Sequence, residues 1–209
     1  MRAILGGTFD PIHLGHLHAA QRAQAALGIA KVMLLLAARP GHRTEPLAGI
    51  HDRWRMLCLA TRETADLLAS DLEILRSGPS YTVDSLRELR GADPLVWLIG
   101  RDALADVPTW HRAGELASLC HFVVLDRPGR EPSEPFCPRG FEVVEAASDL
   151  EERPSGALYC LPNAMLDVSA SQVRRVVAEG GDASALLPSD VWTYICRQGL
   201  YRSCEVERA

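Results

Sequence analysis

Short apolar runs alternate along the chain with longer stretches in which apolar residues recur at helical spacing. The short runs predict strands at residues 2–5, 31–36, 71–76, 95–99 and 122–125, and further short strands at 141–145 and 157–161. The longer stretches predict helices at residues 14–27, 51–64, 82–90, 104–119, 170–179 and 189–197. Gly28 is expected to end the first helix. Strands alternating with helices are typical of βαβ units, so the predicted fold class is α/β, with a parallel sheet flanked by helices.

The whole chain, residues 1–209, is predicted to form a single domain. Four prolines fall between residues 127 and 139, which is too dense for regular structure and predicts a surface loop. The strands that follow this loop can extend the same sheet, so the loop need not separate two domains. The last two helices then make a small C-terminal helical portion.

Composition and charge narrow the classes of function. Hydrophobic residues make up 47% of the 209 positions, enough to build a packed core, and the net charge of −5 argues against a nucleic-acid partner. The longest apolar run, residues 32–38, is too short for a membrane helix. Early glycines leave no room for a signal-peptide apolar region. We therefore expect a cytoplasmic protein that binds neither membrane nor nucleic acid.

Cysteine and lysine usage adds little about function. The six cysteines contain no Cys-x-x-Cys pair and mostly lie in apolar runs, which predicts reduced core thiols rather than disulfides or a zinc site. Lys31 is the only lysine among the 22 basic residues, so the other 21 are arginines. A bias this general fits genome composition better than function, so each arginine has to be judged at its own position.

The segment between the first strand and the first helix carries the strongest chemical signal. In a parallel sheet it lies at the carboxyl edge, where ligands bind. Gly6 and Gly7 allow a backbone to approach a ligand closely, and an Asp-Pro pair forces a turn. His13 and His16 then enter a helix whose first amides favour anions. The segment predicts a polyphosphate site, although it matches neither of the two common glycine-rich phosphate motifs.

Two other interpretations of this segment stay open. The glycines and histidines can form an ordinary turn in which the histidines only cap the helix. Alternatively, His13, His16 and His18 can bind a metal, although no acidic or cysteine partner lies nearby at ligand spacing.

A second anion pocket is predicted near the end of the chain, at residues 167–175. Ser169 or Ser171 fits a helix N-cap, and Arg174 lies one helical turn inside. Because helical side chains lean toward the N-terminus, the Arg174 guanidinium can reach the exposed amides and the serine hydroxyls. The alternative is a capped helix with solvated arginines.

Together these motifs resemble the nucleotidyltransferase superfamily, which has a Rossmann-like fold. The two motifs are His13-x-Gly15-His16 after Gly-Gly-Thr-Phe-Asp-Pro, and Ser169-x-Ser171-x-x-Arg174. More narrowly, the sequence is similar to bacterial nicotinate-nucleotide adenylyltransferases over almost its whole length. The other matching motifs are Arg39-Pro40-Gly41-His42-Arg43, Arg53-x-x-Met56-Leu57, Pro79-Ser80-Tyr81-Thr82-Val83, Ile99-Gly100-x-Asp102, Pro108-Thr109-Trp110, Leu186-Leu187-Pro188 and Gly199-Leu200-Tyr201. The departures are small: Ser171 stands where the family often has Thr, and Gly41 where it often has Pro.

The resemblance implies transfer of the adenylyl group of ATP to nicotinate mononucleotide, giving nicotinate adenine dinucleotide and pyrophosphate in NAD biosynthesis. The nucleophile is an already ionised phosphate, so the reaction needs alignment and charge stabilisation rather than a general base. His13, His16 and Arg174 would be the catalytic residues, as donors to the phosphates of ATP. Mg²⁺ would be carried by those phosphates and not by protein ligands. The oligomeric state is open.

The resemblance also implies the residues that bind ATP. Backbone groups after the first strand, serine hydroxyls near the second motif and a loop arginine would contact the nucleotide. Asp102 would accept hydrogen bonds from the ribose hydroxyls. The implied ATP-binding residues, besides the catalytic three, are Gly6, Gly7, Thr8, Phe9, Arg43, Gly100, Asp102, Ser169 and Ser171.

For the mononucleotide, the resemblance points to an aromatic ring and a helix start. Trp110 would stack on the pyridine ring, although such a tryptophan can equally serve in packing. Backbone amides around Val83 and His111, with Thr82 nearby, would meet the nicotinate carboxylate. His42 would contact phosphate beside the loop arginine, unless this pair belongs to a solvated loop. The preference for nicotinate over nicotinamide rests on the resemblance alone.

Other functions fit the sequence less well. Phosphopantetheine adenylyltransferase is shorter and usually has Thr where His13 stands. A catalytically silent nucleotide-binding protein would not need both histidines and Arg174. Class I aminoacyl-tRNA synthetases share a His-x-Gly-His type of segment, but they are far larger and use a lysine-rich second signature. A nucleic-acid binder conflicts with the net charge and with the lack of basic runs.

Overall fold

A seven-stranded parallel sheet forms the centre of the protein, in a computed structural model that describes residues 1–41, 45–126 and 136–202. The strands are β1 (Arg2–Gly7), β2 (Val32–Leu36), β3 (Leu67–Ser70), β4 (Leu95–Gly100), β5 (His121–Leu125), β6 (Glu142–Val144) and β7 (Ala157–Leu161). Their order across the sheet is β3-β2-β1-β4-β5-β7-β6, and every neighbouring pair is parallel. The predicted fold class, a Rossmann-like parallel sheet flanked by helices, is confirmed.

The helices cover both faces of this sheet. Within the described ranges the α-helices are α1 (Leu14–Leu27), α2 (Ile50–Thr61), α3 (Leu72–Leu75), α4 (Thr82–Leu89), α5 (Arg101–Leu104), α6 (Ala170–Ala178) and α7 (Ser189–Gln198). Short 3-10 helices lie at Val107–Thr109, Ala113–Ser118, Ala147–Glu151 and Ser184–Leu186. The last helix, α7, contacts α2, and this contact attaches the small C-terminal helical portion to the rest of the fold.

Two hydrophobic cores result from the alternation of side chains along each strand. In β1, Ala3 and Leu5 join one core together with α1, α2, α6 and α7, whereas Ile4 points to the other face. The second core contains Trp97 from β4 and Val83 from α4. Because both faces of the central strands are covered, these strands are apolar at almost every position.

The crossover from one half of the sheet to the other lies between β1 and β4. β1 is followed on one side by β2 and β3, and β4 is followed on the other side by β5, β7 and β6. In open α/β sheets a crevice forms beyond the carboxyl ends of the strands at such a point. The segments after β1 and β4 are therefore expected to border the ligand site.

The prediction of a strand at residues 71–76 is wrong. The third strand is β3, which pairs with β2 from Val32–Leu67 to Leu35–Ser70, and residues 72–75 form the single turn α3. The misleading signal is the alternation of apolar and polar residues after Asp71, which has the period of a strand. Here the chain turns instead, as the Ile74 amide donates to the Asp71 carbonyl.

The stretch 104–119, predicted to be mostly helical despite Pro108, forms only short helical pieces. α5 ends at Leu104, and two short 3-10 helices follow, separated by a break at residues 110–112. Pro108 lies in the first of these, and Arg112 has a left-handed backbone with φ of 55°, which no α-helix contains. Because of this break, Trp110 and His111 lie in the connection between the two 3-10 helices.

Most other boundaries agree with the predictions to within a few residues. Gly28 ends α1 with φ of 60°, as predicted. The first strand is longer than predicted, because Gly6 and Gly7 pair with Leu35 and Leu36 of β2. The second predicted helix is shorter and ends at Thr61.

The cysteines of the described ranges are all free, as predicted, but their predicted core location holds fully for only one. Cys120 is buried, Cys137 is exposed, and the others are half-buried. Cys204 and most of the proline-rich stretch 127–139 lie outside the described residues. No helix in the described part of the chain has the length and apolar character needed to cross a membrane.

Candidate active site

Gly6 and Gly7 are required by the packing of the protein itself. A Cβ on Gly6 would lie 2.4 Å from the Trp97 ring, and a Cβ on Gly7 would lie 2.7 Å from the Phe9 ring. The sequence interpretation, in which these glycines make room for a ligand, is therefore incomplete. Their missing side chains let Trp97 and Phe9 pack against β1, and Phe9 does so with a left-handed φ of 48°.

His13 and His16 lie face to face at the start of α1. Their ring centroids are 3.7 Å apart with an interplanar angle of 25°, and the backbone N–H of His13 donates to Nδ1 of His16 over 3.3 Å. With Nδ1 as acceptor, the neutral His16 ring carries its proton on Nε2. The Phe9 ring meets His16 edge-on at 5.1 Å. Both predicted catalytic histidines are thus held together at a helix N-terminus.

Gly15, between the two histidines, makes their arrangement sterically feasible. A Cβ on Gly15 would lie 3.0 Å from Nδ1 of His13 and 3.2 Å from the carbonyl of Val168. The His13 ring therefore lies directly over the first turn of α1. The same glycine lets the segment before α6 approach, so the two predicted anion-binding motifs are neighbours in space.

His13 is a buried, neutral side chain. Burial lowers its pKa to about 4, and only 5% of the residue is exposed. Its Nδ1 atom finds no hydrogen-bond partner among the described residues. Because this atom lies against the N-terminus of α1, an unprotonated Nδ1 is favoured there and the proton belongs on Nε2. At neutral pH, His13 can act as a hydrogen-bond donor but not as a cation.

Hydrogen bonds to Asp10 connect the histidine segment to three other parts of the chain. Its buried carboxylate accepts from the amides of Leu47 (2.8 Å) and Ala48 (3.0 Å), and from the hydroxyl of Tyr201 (2.7 Å). Its backbone carbonyl accepts from Nη1 of Arg174 over 2.7 Å. A carboxylate occupied by three donors is poorly placed to act as a base, so its role here is to fix geometry.

The Arg53 side chain connects the carboxyl ends of β1 and β2 through hydrogen bonds to the backbone. Its guanidinium, on α2, donates to four backbone carbonyls at 2.8–3.2 Å. The acceptors belong to Thr8 after β1, and to Ala37, Ala38 and Ala48 after β2. Burial lowers the pKa of Arg53, and the charge of Asp10 offsets part of this effect. These contacts shape the floor of the crevice.

Arg174 reaches back from α6 as the sequence predicted. Ser169 is the N-cap of α6, and its hydroxyl accepts from the Gln172 amide over 3.2 Å. Arg174 donates from Nη2 to Oγ of Ser171 over 3.2 Å and from Nη1 to the Asp10 carbonyl. The half-buried guanidinium therefore lies between the serines and the histidine segment, and it brings positive charge to the N-termini of α1 and α6.

The carboxyl end of β4 borders the same crevice. Gly100 ends β4, and a Cβ there would meet only the Met165 sulfur, at an ordinary 3.9 Å. Asp102 lies exposed in the first turn of α5. Arg101 is bound to Asp126 at the end of β5, with Nη2 and Oδ2 at 2.6 Å, and this ion pair fixes the position of the turn.

Of the predicted mononucleotide residues, Thr82, Val83 and His111 lie beside Tyr81. The Tyr81 and His111 rings stack at 4.2 Å and 22°, and Tyr81 caps α4, which begins with Thr82 and Val83. Val83 is fully buried, so only its backbone can face a ligand. Trp110 is half-buried next to His111 and packs partly against the second core.

The loop after β2 leads into this aromatic group. Arg39 and Ser80 exchange hydrogen bonds of 2.9 and 3.0 Å, and a Cβ on Gly41 would lie 3.4 Å from the Tyr81 ring. His42 and Arg43, which the sequence assigns to phosphate contacts, lie outside the described residues.

A protein-bound metal has no evident ligand set in this site. Over residues 1–41, 45–126 and 136–202, no three His, Cys, Asp or Glu side chains come together in a way that could hold an ion. The arrangement instead offers neutral imidazole donors, helix amides and the Arg174 guanidinium. Such a set can bind and polarise phosphates without transferring protons.

Sequence reasoning missed Asp10, Arg53 and Tyr201 as parts of the site. Arg53 and Tyr201 belong to motifs that support the family resemblance but carry no assigned role. The sequence assigns Asp10 only to a turn. The available signal was their residue type: a carboxylate and a guanidinium inside apolar surroundings need partners.

Comparison with known proteins assigns the family. The model of the cytidylyltransferase-like family matches residues 4–176. A relative from Stenotrophomonas maltophilia is 42% identical, with 97% of each chain covered, and one from Aeromonas hydrophila is 40% identical, with 95% of this chain and 96% of the relative covered. Both relatives bear the name "Probable nicotinate-nucleotide adenylyltransferase". The chain belongs to the nicotinate-nucleotide adenylyltransferase family.

A solved structure supports the fold of this family. Nicotinic acid mononucleotide adenylyltransferase of Plasmodium falciparum, complexed with NaAD, matches with a TM-score of 0.71 at 19% identity, covering 95% of this chain and 96% of that one. Nicotinate-nucleotide adenylyltransferases are nucleotidyltransferases, so membership makes this chain an enzyme of that class. The resemblance found in the sequence motifs is confirmed.

Proposed function

We propose that the protein transfers the adenylyl group of ATP to nicotinate mononucleotide, giving nicotinate adenine dinucleotide and pyrophosphate. The phosphate oxygen of the mononucleotide attacks the α-phosphorus of ATP, and the bond between that phosphorus and the oxygen leading to the β-phosphorus breaks. The displaced electron pair leaves with pyrophosphate. No proton has to be removed from the nucleophile, so positioning and electrostatic stabilisation carry the catalysis.

Donors at the start of α1 and α6 would bind the triphosphate. His13 and His16 would donate from Nε2, and Arg174 would hold the leaving phosphates from the side of α6. Three of the five guanidinium N–H groups of Arg174 make no hydrogen bond to the described residues, so they can serve the ligand. The hydroxyls of Ser169 and Ser171 would add contacts close to the nucleotide.

The carboxyl end of β4 would bind the adenosine. The exposed Asp102 carboxylate can accept from both ribose hydroxyls. Unlike Gly6 and Gly7, Gly100 has space beside it that no side chain fills closely, so a nucleoside can approach its backbone. Backbone groups of residues 6–9 would face the phosphates from the end of β1.

The acceptor nucleotide would bind beside the stacked rings of Tyr81 and His111. Trp110 lies in the connection between the two 3-10 helices, which leaves its ring outside a helix and available for stacking on a pyridine. The first amides of α4, at Thr82 and Val83, would meet the nicotinate carboxylate, because helix N-termini favour anions. His42 and Arg43 remain predicted phosphate contacts, His42 to the mononucleotide and Arg43 to ATP.

Mg²⁺ would enter with ATP. The described residues offer it no ligand cluster, which fits an ion coordinated mainly by phosphate oxygens. Bound there, it would neutralise part of the charge of the triphosphate. The cytoplasmic location expected from the sequence stays a prediction.

The observation that carries this proposal is the joint placement of His13, His16 and Arg174 around one helix start, with the nearby Asp10 carboxylate already occupied. The test is to incubate the purified protein with ATP, Mg²⁺ and nicotinate mononucleotide and to measure pyrophosphate and dinucleotide together. We expect both products in equal amounts. Turnover with phosphopantetheine but not with the mononucleotide would refute the proposal.

Nicotinamide mononucleotide is the informative competitor. The acid and the amide differ by one charge at the group that would meet the first amides of α4. We therefore expect a higher kcat/KM for the acid. Equal values for the two would contradict the proposed site for the carboxylate while leaving adenylyl transfer in place.

A further inference from the structure

Tyr201 is attached to the site in an unusual way. It follows α7 with a left-handed φ of 64°, a conformation uncommon outside glycine. Its hydroxyl donates to Oδ1 of Asp10 over 2.7 Å, across 191 positions of the chain. Burial and the charge of Asp10 both raise the pKa of Tyr201, so the hydroxyl stays protonated and remains a donor. A left-handed backbone at a tyrosine is costly, so the contacts around it, this hydrogen bond among them, must hold it in place.

The Asp10 carboxylate that accepts this bond can also attract the Arg174 guanidinium, through its other oxygen. Nη1 of Arg174 lies 4.0 Å from Oδ2 of Asp10, close enough for the pair to collapse into a direct ion pair. In the structure, this nitrogen donates instead to the Asp10 backbone carbonyl, and Nη2 donates to Ser171. The carboxylate is occupied by two backbone amides and by Tyr201, so its attraction for the guanidinium is reduced.

We propose that Tyr201 is a positioning residue for adenylyl transfer, which occupies Oδ1 of Asp10 and thereby keeps Arg174 directed at the phosphates of ATP. Without the hydroxyl, the carboxylate loses one of its three donors, and Oδ1 keeps only the Ala48 amide. Arg174, whose Nη1 lies 4.0 Å from Oδ2, is a charged donor that can then turn toward the carboxylate, and this turn takes it away from Ser171 and from the ligand. The inference rests on the proposed function for the role of Arg174.

The chain contains a matched control for this bond. Tyr194 lies on α7, seven residues earlier, and its hydroxyl donates to Oδ1 of Asp52 on α2 over 2.8 Å. It is the same type of bond, made by the same C-terminal portion, but it contacts none of the candidate site residues. Removing it tests what the loss of a tyrosine–aspartate bond does to stability alone.

The experiment compares Tyr201→Phe with Tyr194→Phe. Binding of ATP and of inorganic pyrophosphate is measured by calorimetry, KM for both substrates by steady-state kinetics, and folding by thermal unfolding. We expect Tyr201→Phe to weaken both binding constants and to raise KM for ATP about tenfold, since a hydrogen bond to a charged group is lost. KM for the mononucleotide should stay within about twofold in this variant. Tyr194→Phe should leave all of these values within about twofold.

The Arg174→Ala variant tests whether the effect of Tyr201→Phe on ATP binding depends on the Arg174 guanidinium. In that background, Tyr201→Phe should produce no further loss of ATP binding, because the residue it positions is absent. A full additional loss would overturn the proposal, as would equal losses of ATP binding in Tyr201→Phe and Tyr194→Phe. An effect of Tyr201→Phe on thermal unfolding alone would also overturn it.

These readouts separate the inference from the proposed function. If the unaltered protein binds ATP but does not turn over nicotinate mononucleotide, the proposed acceptor is wrong, and the binding comparison still tests Tyr201. If turnover is found and ATP binding does not distinguish the two variants, the proposed function stands and the positioning role is refuted.

Discussion

The neutral state of His13 leads to a measurable dependence of stability on pH. The pKa of this residue falls from 6.5 to about 4 on folding, so between these values the unfolded chain binds the proton that the folded chain excludes. The stabilising contribution is present above pH 6.5 and is lost as the pH falls toward 4. With these two values, linkage predicts a loss of about 2 kcal/mol between about pH 7.5 and about pH 5.

Urea unfolding of the unaltered protein and of His13→Asn, at those two pH values, tests this magnitude. Other groups titrate over the same range in both proteins, so the difference between them isolates His13. The unaltered protein should lose about 2 kcal/mol more than the variant. His51→Asn, which replaces an exposed histidine on α2, is the control and should behave as the unaltered protein does. The same pH dependence in the unaltered protein and in His13→Asn would refute a buried, neutral His13.

Three substitutions test other parts of the site. His16→Ala removes a proposed hydrogen-bond donor to phosphate and should lower kcat by about 10²-fold or more, with unchanged thermal unfolding. Near-normal turnover of this variant would refute the proposed role. Trp110→Ala should raise KM for the mononucleotide rather than for ATP, and an effect confined to ATP would place the ring elsewhere. Arg53→Lys keeps the positive charge but loses the planar guanidinium that donates to four carbonyls. Urea unfolding should show that the free energy of unfolding falls by about 3 kcal/mol. A loss below about 1 kcal/mol would mean that those carbonyls do not need the guanidinium.

The sequence predicted most of the sheet, and the position of the histidine segment between β1 and α1, because both depend on local signals. Gly28 and the spacing of apolar residues define α1, and the two histidines occupy its start whatever the rest of the chain does. The error at β3 has a local cause too. The apolar part of β3, residues 67–69, is only three residues long and gives a weak strand signal, whereas the alternation of residues 71–74 imitates a strand.

The contacts that hold the site together could not be predicted in this way. Arg53 binds backbone carbonyls, and a carbonyl is present at every position, so no residue type marks it as a partner. Asp10 meets Arg174 across 164 positions and Tyr201 across 191, and such pairings follow from the tertiary fold alone. Likewise, Gly6 is explained only once Trp97 is known to lie beside it.

The bond between Asp10 and Tyr201 also constrains when the protein can become active during its synthesis. Strand β1 is synthesised before the other described strands, and it lies inside the sheet between β2 and β4. Its following turn, however, receives a contact from residue 201, which is synthesised 191 positions after Asp10. A nascent chain can therefore assemble most of the sheet before Asp10 gains this contact, and the proposed phosphate site reaches its final geometry only after residue 201 has left the exit tunnel.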